Sequence, residues 1–473
     1  MPAGCSVVVD IGKTVAKLSL WSSEGSLLEV RHRPNARISA DAYLALDAAG
    51  IENWLVETLR ELAWKYPIST VIPVAHGAAA AILRGGKLAC APVDYESPIP
   101  AATRARYDSQ RDAFSITGSP ALPHGLNLGA QLAWLEEIMP EALAADARIV
   151  PWPQYWAWLL SGVTACEVTS LGCHSDLWNP VANRFSPLAE ARGWSRQFAP
   201  LRRADEILGT LRPEWAARTG VPPSAKVLCG VHDSNAALNA VRGFTGVEGR
   251  EFTVVSTGTW FVAMRASPSK GAVSALPERR DCLFNVDWHG RPVPSARFMG
   301  GREIEILADS GGRSIDIAAD QTRLVSAVEE VVRGEAAVLP THVAGVGPYP
   351  RAGGRWLGEP ADADTRLAAI SLYVALVTDA ALDLIGARER VIVEGRFVRA
   401  TLFLRALATL RRDCEILASP ADDGVPFGAL RLAHPELRRR GPLEAVTPLE
   451  LDLEAYKADW RARADSLQEA SDR

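Results

Sequence analysis

The chain has 473 residues, of which 48% are hydrophobic and 23% are charged, and its formal net charge is −5. This composition is typical of a globular protein, and the length exceeds what one hydrophobic core usually organises, so we expect two domains. The slightly negative charge leaves no basic surface for nucleic acid, which excludes that class of partner, although small phosphates remain compatible ligands.

Export and membrane insertion are not expected either. The first apolar stretch contains Asp10 and Lys13, which is untypical of a signal peptide, and no run of 18 apolar residues is present to span a bilayer. Seven cysteines, scattered from Cys5 to Cys414, form neither a disulfide framework nor a paired metal spacing. We therefore expect a cytoplasmic protein without membrane partners.

The first motif lies in residues 7–21, VVVDIGKTVAKLSLW. Its Gly12-Lys13-Thr14 matches the end of a nucleotide-binding P-loop, but the glycine that a P-loop needs five positions earlier is Val7 here. After Thr14, apolar and polar residues alternate, which predicts a strand where a P-loop would begin a helix. The pattern therefore predicts a strand, a tight glycine turn and a second strand.

Such a hairpin offers several groups to a nucleotide. Asp10 ends the first strand and suits a hydrated magnesium ion, while Thr14, Lys17 and the amides around Gly12 suit phosphate. A purely structural hairpin is an equally good interpretation of this stretch alone.

A second hairpin of the same kind is predicted in residues 252–264, FTVVSTGTWFVAM. Residues 254–259 overlie residues 8–13 with an offset of 246 residues, about half of the chain. Two similar hairpins at the start of two halves indicate a duplicated domain with one phosphate clamp in each half. Chance similarity of two hairpins is the alternative.

A third motif precedes the second hairpin, in residues 226–241, KVLCGVHDSNAALNAV. A short apolar strand reaches Gly230, and Asp233 then stands at the start of a predicted helix. Asp233 could simply cap that helix. A carboxylate on a glycine-containing loop is also where a general base for an alcohol is expected.

These three motifs together resemble the FGGY family of carbohydrate kinases. Asp10-Ile-Gly12-Lys13-Thr14 resembles the first phosphate clamp of the family, residues 256–260 the second, and Gly230-Val-His-Asp233 its G-x-x-D loop. Further stretches resemble the family in the same order from about residue 7 to about residue 430: His76-Gly77, Asp94-Tyr95, residues 125–135 with Gln131 at a usual lysine, 151–178, 298–303 and 373–379.

The resemblance implies an α/β fold of two duplicated actin-like (ribonuclease H-like) ATPase domains around a central cleft, with sugar on the first domain and ATP on the second. We place the first domain at residues 1–228, the second at 229–440 and a charged helix at 441–473. Trp152, Tyr155, Trp156 and Trp158 recur at helical spacing, which predicts core packing rather than sugar stacking. Cys166 and Cys173 are predicted to be buried apolar residues.

The implied activity is ATP-dependent phosphorylation of a hydroxyl of a small sugar, ketose or polyol. Asp233 would be the general base, and Asp10 with Asp233 would hold Mg²⁺. The predicted ATP-binding residues are Asp10, Gly12, Lys13, Thr14, Lys17, Thr257, Gly258, Thr259, Gly395 and Arg396, and the predicted sugar-binding residues are His76, Gly77, Asp94, Tyr95 and Asp233.

Two positions depart from the family pattern. In residues 391–400, VIVEGRFVRA, only Gly395 remains of the glycines that usually lie under the adenosine, and Arg396 takes the next position. Arg396 or Arg399 could instead stack on the base or meet a phosphate. Lys13 replaces the usual threonine of the first clamp. The STGTW and FMGGRE stretches are most similar to the fuculose and rhamnulose kinase side of the family.

Two other functions stay open at this point. The chain could be an actin-like ATPase or chaperone relative, which would leave Asp94 and Tyr95 unexplained, or a sugar-binding regulator without turnover. The expected partners are a small sugar and ATP, with no nucleic acid and no membrane, and assembly as a homodimer is left open.

Overall fold

A computed structural model describes residues 4–268, 275–308, 313–419, 423–439 and 441–472. The chain divides into two compact units. The first unit contains the described residues of Met1–Gly243 together with Phe284–Pro292 and Asp423–Arg439, and the second contains the described residues of Phe244–Leu283, Val293–Asp422 and Arg440–Arg473. The predicted functional domain limits at residues 228 and 440 stay predictions.

The strands and helices of the described residues are numbered in chain order. The strands are β1 Cys5–Ile11, β2 Val15–Trp21, β3 Leu27–Pro34, β4 Arg37–Ala40, β5 Tyr43–Leu46, β6 Ile68–Ala75, β7 Ala80–Arg84, β8 Lys87–Leu88, β9 Arg148–Pro151, β10 Trp178–Asn179, β11 Arg184–Phe185, β12 Ile207–Thr210, β13 Lys226–Leu228, β14 Val231–His232, β15 Phe252–Thr257, β16 Phe261–Ala266, β17 Cys282–Val286, β18 Pro292–Phe298, β19 Ala337–Leu339, β20 Arg355–Leu357, β21 Arg390–Gly395, β22 Glu415–Ala418 and β23 Glu444–Ala445.

The α-helices are α1 Ala48–Ala63, α2 Ala101–Asp108, α3 Phe114–Thr117, α4 Leu128–Ile138, α5 Trp152–Ser161, α6 Val168–Leu171, α7 Pro187–Ala191, α8 Trp194–Gln197, α9 Pro213–Thr219, α10 Asp233–Val241, α11 Gly300–Ala308, α12 Gln321–Arg333, α13 Ala363–Leu384, α14 Thr401–Leu410, α15 Gly424–Ala433 and α16 Glu454–Asp472. Short 3₁₀ helices cover Pro140–Leu143, Glu278–Arg280, Ala318–Asp320 and Arg396–Arg399.

The same sheet pattern occurs in both units. In the first, the order is β12-β13-β6-β1-β2-β3, and β1 is antiparallel to β2 but parallel to β6. In the second, β15 is antiparallel to β16 and parallel to β21, within the order β17-β18-β16-β15-β21-β22-β23. The repeated pattern confirms the predicted duplication and the two-domain α/β fold class.

Both predicted glycine hairpins are confirmed. β1 ends at Ile11 and β2 begins at Val15, so the residues after Lys13 form a strand and not a P-loop helix. β15 ends at Thr257 and β16 begins at Phe261. Asp10 and Ser256 occupy equivalent places, because each is the penultimate residue of the central strand of its sheet.

Helix α15 returns to the first unit and packs on α10, the helix that begins with Asp233. A Cβ atom at Gly428 would lie only 1.7 Å from the carbonyl oxygen of Ala236, so glycine permits this close approach. The side-chain amide of Asn239 also donates to the carbonyl of Gly428 at 2.8 Å. These contacts fix the helix whose first turn carries the candidate base.

The aromatic cluster of α5 is packed in the core of the first unit, as predicted. Trp152 and Trp156 are fully buried, and the rings of Trp152 and Tyr155 stack with their centroids 5.1 Å apart. Cys166 and Cys173 are buried as well.

Helix α13 is long and apolar enough to cross a membrane by length and composition alone. However, 89% of its most apolar window is buried inside the protein. Such burial is typical of the core helix of a globular domain.

Candidate active site

The tip of the first hairpin is held by backbone contacts and by an asparagine. The amide of Gly12 donates to the carbonyl of Val15 at 3.1 Å. Asn35 donates from its side chain to the carbonyl of Gly12 and from its backbone to the carbonyl of Thr14, both at 2.8 Å. The sequence carries no signal for Asn35, because its partners lie on a hairpin about twenty residues earlier in the chain.

Asp10 is partly buried at the end of β1, and its cross-strand partner is Lys17, which is exposed. The pKa of Asp10 is raised to about 7, first by burial and then by the negative charge of Asp233. The positive charge of Lys17 acts in the opposite direction. Asp10 and Asp233 are therefore close enough to repel each other. A hydrated divalent cation between two such carboxylates would relieve this repulsion, so the pair fits Mg²⁺.

Asp233 is the first residue of α10, whereas the N-cap is His232 and forms no side-chain capping bond. The Asp233 carboxylate accepts hydrogen bonds from the backbone and hydroxyl of Ser234 at 2.6 and 3.2 Å, and Nε2 of His232 lies 3.1 Å from it. The side chain keeps 30% of its surface exposed. Asp233 is thus not an ordinary N-cap and remains accessible to a ligand.

His232 lies in a buried cluster with Cys173 and His174. Burial lowers the pKa of His232, but the charges of Cys173 and Asp233 outweigh burial and raise it to about 9. Burial raises the pKa of Cys173, but His174 and His232 outweigh burial and lower it to about 5. These directions favour a thiolate beside an imidazolium, a feature that the sequence prediction of an apolar Cys173 missed.

Gly77, a predicted sugar-side residue, packs against this cluster. A Cβ atom at Gly77 would lie 2.8 Å from Nε2 of His232 and 3.3 Å from the sulfur of Cys173. The absence of a side chain at Gly77 therefore lets the imidazole approach the backbone. His76 is buried, its Nδ1 is 2.8 Å from the Gly77 carbonyl, and burial lowers its pKa.

The Asp94 carboxylate is completely buried and both of its oxygens have partners. Oδ1 accepts from the backbone of Glu96 at 2.8 Å, and Oδ2 forms an ion pair with Nζ of Lys13. The guanidinium of Arg37 lies 3.8 Å from Oδ2. The structure thus joins Lys13, predicted as a phosphate ligand, to a predicted sugar ligand.

Tyr95 lies beside this ion pair. Nζ of Lys13 is 5.0 Å from the Tyr95 ring centroid, and the His76 ring meets Tyr95 edge-on with 5.5 Å between centroids. Burial raises the pKa of Tyr95 above its ordinary range, so the phenol remains a hydrogen-bond donor at neutral pH.

Gln131, at the position of a usual lysine, organises these loops. Its buried side-chain amide donates to the carbonyls of Ala78 at 2.7 Å and Gly125 at 2.5 Å. The amide of Gly125 donates in turn to the carbonyl of Tyr95 at 2.9 Å. Gln131 therefore connects the His76 loop with the Tyr95 loop.

In the second hairpin, the hydroxyl of Thr257 forms hydrogen bonds with backbone groups of the same unit. The hydroxyl of Thr257 donates to the carbonyl of Glu394 at 2.6 Å and accepts from the amide of Phe397 at 3.0 Å. The amide of Gly258 donates to the carbonyl of Trp260 at 3.0 Å. The Thr257 hydroxyl thus links the hairpin to the turn after β21, while the side chain of Thr259 is exposed.

Three glycines of the second unit differ in what surrounds them. Gly395 has φ of +90°, and a Cβ atom there would lie 2.3 Å from the carbonyl oxygen of Thr257. A Cβ atom at Gly301 would lie 2.1 Å from the carbonyl oxygen of Gly258. At Gly258, however, the nearest atom would be the Trp260 carbonyl oxygen at 3.8 Å. Protein packing explains the first two glycines, whereas a Cβ atom at Gly258 would make only an ordinary van der Waals contact.

Arg396 is exposed and forms an ion pair with Asp316, whose Oδ2 is 2.9 Å from the guanidinium Nε. Its guanidinium carbon also lies 4.8 Å from the centroid of the Phe397 ring. Burial raises the pKa of Asp316, but the hydrogen bonds of Arg396 and Ser314 outweigh burial and lower it. Arg396 therefore has a partner within the second unit, and its role toward a nucleotide stays a prediction.

The first unit thus contains all the residues that the sequence predicts for catalysis, metal and sugar, namely Asp10, His76, Gly77, Asp94, Tyr95 and Asp233, and it adds Lys13, predicted for phosphate, to the sugar loop. In the part of the chain that the structure describes, no group of three or more His, Cys, Asp and Glu side chains could hold a metal ion. The metal role of Asp10 and Asp233 stays a prediction.

Comparisons with known proteins agree with this picture. Residues 105–239 match the FGGY family of carbohydrate kinases, N-terminal domain, and residues 249–440 match the carbohydrate kinase FGGY, C-terminal domain. The crystal structure of a carbohydrate kinase from Novosphingobium aromaticivorans is 50% identical, with a TM-score of 0.95 over 98% of this chain and 99% of that chain.

Two curated relatives match over shorter stretches. The L-xylulose/3-keto-L-gulonate kinase of Escherichia coli (strain K12) is 31% identical over 137 residues, which is 28% of this chain and 26% of that protein. The L-fuculokinase of Haemophilus influenzae (strain ATCC 51907 / DSM 11121 / KW20 / Rd) is 28% identical over 183 residues, 36% of this chain and 37% of that protein. The alignments thus span only about a quarter and a little more than a third of these relatives.

Proposed function

The chain belongs to the FGGY family of carbohydrate kinases, and we propose that it transfers the γ-phosphoryl group of ATP to a hydroxyl of a small sugar, a ketose or a polyol. The observation that carries this proposal is the arrangement in the first unit of Asp233, Asp10 and the loops of His76 and Asp94. A partly exposed carboxylate, a second carboxylate that fits a cation, and buried groups suited to hydroxyls are what phosphoryl transfer to an alcohol requires.

Asp233 would accept the proton of the attacking hydroxyl. A sugar hydroxyl is too weak an acid to ionise beforehand, so the proton would move as the bond to phosphorus forms. The adjacent His232 supports this role, because its Nε2 lies 3.1 Å from the carboxylate and can hold it in one orientation. The amide of His232 in turn donates to the hydroxyl of Thr169 at 3.0 Å.

Asp10 and Asp233 would hold Mg²⁺ through water. When bound, the ion would neutralise the negative charge of the phosphates. Lys17 lies opposite Asp10 in the hairpin and is exposed, so its ammonium can meet a phosphate without breaking an internal ion pair. The hydroxyl of Thr14 and the amides at the hairpin tip would contribute neutral donors.

In the second unit, no protein atom would clash with a Cβ at Gly258, so packing within the unit does not account for this glycine, which supports close approach of phosphate oxygens to the backbone. Thr259 would add a hydroxyl, whereas Thr257 and Gly395 would shape this backbone because their own contacts lie within the unit. Arg396 would act on the nucleotide only if it leaves Asp316.

The relatives suggest which sugars to test first. One is named for L-xylulose and 3-keto-L-gulonate and the other for L-fuculose, so we propose a ketose or a keto acid as substrate. We also propose that the enzyme acts on small molecules in the cytoplasm without nucleic-acid or membrane partners. Whether it forms a homodimer can be measured by sedimentation of the purified protein.

A coupled assay of ADP release tests the function. The protein is incubated with ATP and magnesium and with each member of a panel of ketoses, polyols and sugar acids. Sugar-dependent ADP release that stops on chelation of magnesium is the expected result. ADP release that ignores the sugar would indicate an actin-like ATPase, and sugar binding without any ADP release would indicate a regulator.

A further inference from the structure

We propose that Lys13 acts on the sugar and not on the phosphates, and that it determines which sugars the enzyme accepts. The proposal rests on the proposed function and goes beyond it, because position 13 belongs by sequence to a phosphate clamp. In the structure, the Lys13 ammonium forms an ion pair with Asp94 and lies 5.0 Å from the Tyr95 ring centroid. Both partners belong to the loop predicted to bind sugar.

Because this ion pair is buried, breaking it is energetically unfavourable. The side chain of Lys13 is only 12% exposed and that of Asp94 is fully buried. If Lys13 moved to a phosphate, a buried carboxylate would lose its closest cation, which is strongly unfavourable in a low-dielectric environment. Arg37 could replace it only in part, because its side chain is 55% exposed and also binds Glu96 at 2.8 Å.

Lys17 provides the contrast within the same hairpin. It lies four residues further on, is exposed, and has Asp10 as its cross-strand partner. The two lysines therefore divide the two sides of the reaction between them, with Lys17 toward the metal and phosphates and Lys13 toward the sugar.

The ion pair changes what the sugar site recognises. One oxygen of Asp94 already accepts from the amide of Glu96 and the other from Lys13, which leaves fewer acceptor positions for sugar hydroxyls. A lysine ammonium has three donors, and the ion pair uses one, so two can reach oxygen atoms of a substrate. The site would thus offer donors where a free carboxylate would offer only acceptors.

The chemistry that fits is a hydroxyl next to a strong oxygen acceptor. The hydroxyl would donate to Asp94, and the neighbouring carbonyl or carboxylate oxygen would accept from Lys13. We infer that a hydroxy ketone or hydroxy acid binds better than the corresponding polyol, whose hydroxyl oxygens are weaker acceptors. The aromatic rings of Tyr95 and His76 would border this subsite.

The test separates sugar binding from ATP binding without requiring turnover. Equilibrium dissociation constants are measured by intrinsic tryptophan fluorescence or calorimetry for ATP alone and for each sugar alone, on the wild type, Lys13→Thr and Lys17→Met. The sugars are paired ketoses and polyols of the same chain length, together with the matching sugar acid.

We expect Lys13→Thr to weaken ketose or sugar-acid binding by about 10-fold or more, the loss of one charge-assisted hydrogen bond. Its affinity for ATP should change less than about 2-fold, and the preference over the polyol should shrink. Lys17→Met should show the opposite pattern. The double variant Lys13→Met/Asp94→Asn removes both charges and, with thermal unfolding, controls for damage from an unpaired Asp94.

The proposal is wrong if Lys13→Thr weakens ATP binding as much as sugar binding, if the ketose-to-polyol preference stays unchanged, or if no sugar of the panel binds the wild type. Sugar binding that depends on Lys13 without ADP release would uphold this inference while overturning the proposed kinase activity. The two failures are therefore distinguishable.

Discussion

The two glycine hairpins occupy equivalent places in their sheets but differ in charge. The first, in residues 7–21, carries Asp10, Lys13 and Lys17, whereas the second, in residues 252–264, carries no charged residue until after Met264. In the first hairpin, Lys13 forms an ion pair with Asp94, Asp10 is affected by the charge of Asp233, and Lys17 is exposed to solvent. In the second, the Thr257 hydroxyl joins neighbouring backbone segments.

This difference separates what the fold needs from what the chemistry needs. A central apolar strand, a short turn and a returning strand occur in both units, so they suffice for the architecture. The hairpin charges occur in the first unit only, so we expect catalysis to depend on the first hairpin. The second would act as a neutral cradle made of amides and hydroxyls.

The largest expected effect is the loss of turnover when a single carboxylate of the first unit is replaced. Asp233→Asn should lower kcat by at least about 10²-fold, because the amide cannot accept the hydroxyl proton, while sugar affinity should stay nearly unchanged. Steady-state kinetics with the best sugar of the panel and direct sugar binding measure both quantities. Full activity of the variant would remove Asp233 from the role of base.

A swap between equivalent positions tests whether charge is what distinguishes the hairpins. Asp10→Ser installs in the first hairpin the residue type of the second, and it should lower kcat by about 10-fold or more and raise the magnesium concentration needed for activity. Ser256→Ala, the matched change in the second hairpin, should have a much smaller effect. Equal losses in the two variants would show that the hairpins contribute alike.

Substitutions at two glycines of the second unit are expected to have different effects, one on stability and the other on ATP binding. Gly395→Ala should reduce the free energy of unfolding by about 2 kcal/mol or more, because alanine is strained at φ of +90° and its Cβ would collide with the Thr257 carbonyl. Gly258→Ala should leave stability within about 1 kcal/mol but weaken ATP binding by about 10-fold. Urea unfolding and ATP titration measure these effects, and unchanged ATP affinity in Gly258→Ala would exclude a phosphate at that backbone.

The last prediction concerns stability alone, and it involves a buried carboxyl group away from the hairpins. Burial raises the pKa of Glu167 to about 7, although hydrogen bonds from Thr169 oppose this. Since the folded state holds the proton more tightly than the unfolded state, this group contributes stability that is complete below about pH 4.5 and lost as the pH rises through about 7. The loss should not exceed about 1.4 kcal/mol per pH unit.

Glu167→Gln should remove this contribution, because the amide is uncharged at every pH. Urea unfolding of wild type and variant at several pH values between 5 and 8 gives the two slopes. Parallel slopes would show that Glu167 does not titrate in this range.

Several features could be predicted from the sequence because their signals are local. The strand after Lys13 was visible in its alternation, the duplication in the repeated hairpin, and the family in the order of many short motifs. The family, the fold class and the burial of the α5 aromatic residues are confirmed. The partners of individual polar groups were not visible, as Asn35, Gln131 and the Cys173 cluster show.

By itself, the sequence determined the two hairpins, the repeated α/β pattern and the family, since periodicity and turn residues act over a few neighbouring positions. Only the tertiary structure decided that Lys13 forms an ion pair with Asp94 and that the Thr257 hydroxyl donates to a backbone carbonyl of its own unit. The same holds for the position of His232 beside the Cys173 sulfur and the Asp233 carboxylate. The physical reason is reach and burial: a long or polar side chain can satisfy several partners, and the one it takes depends on which distant residue the fold buries beside it.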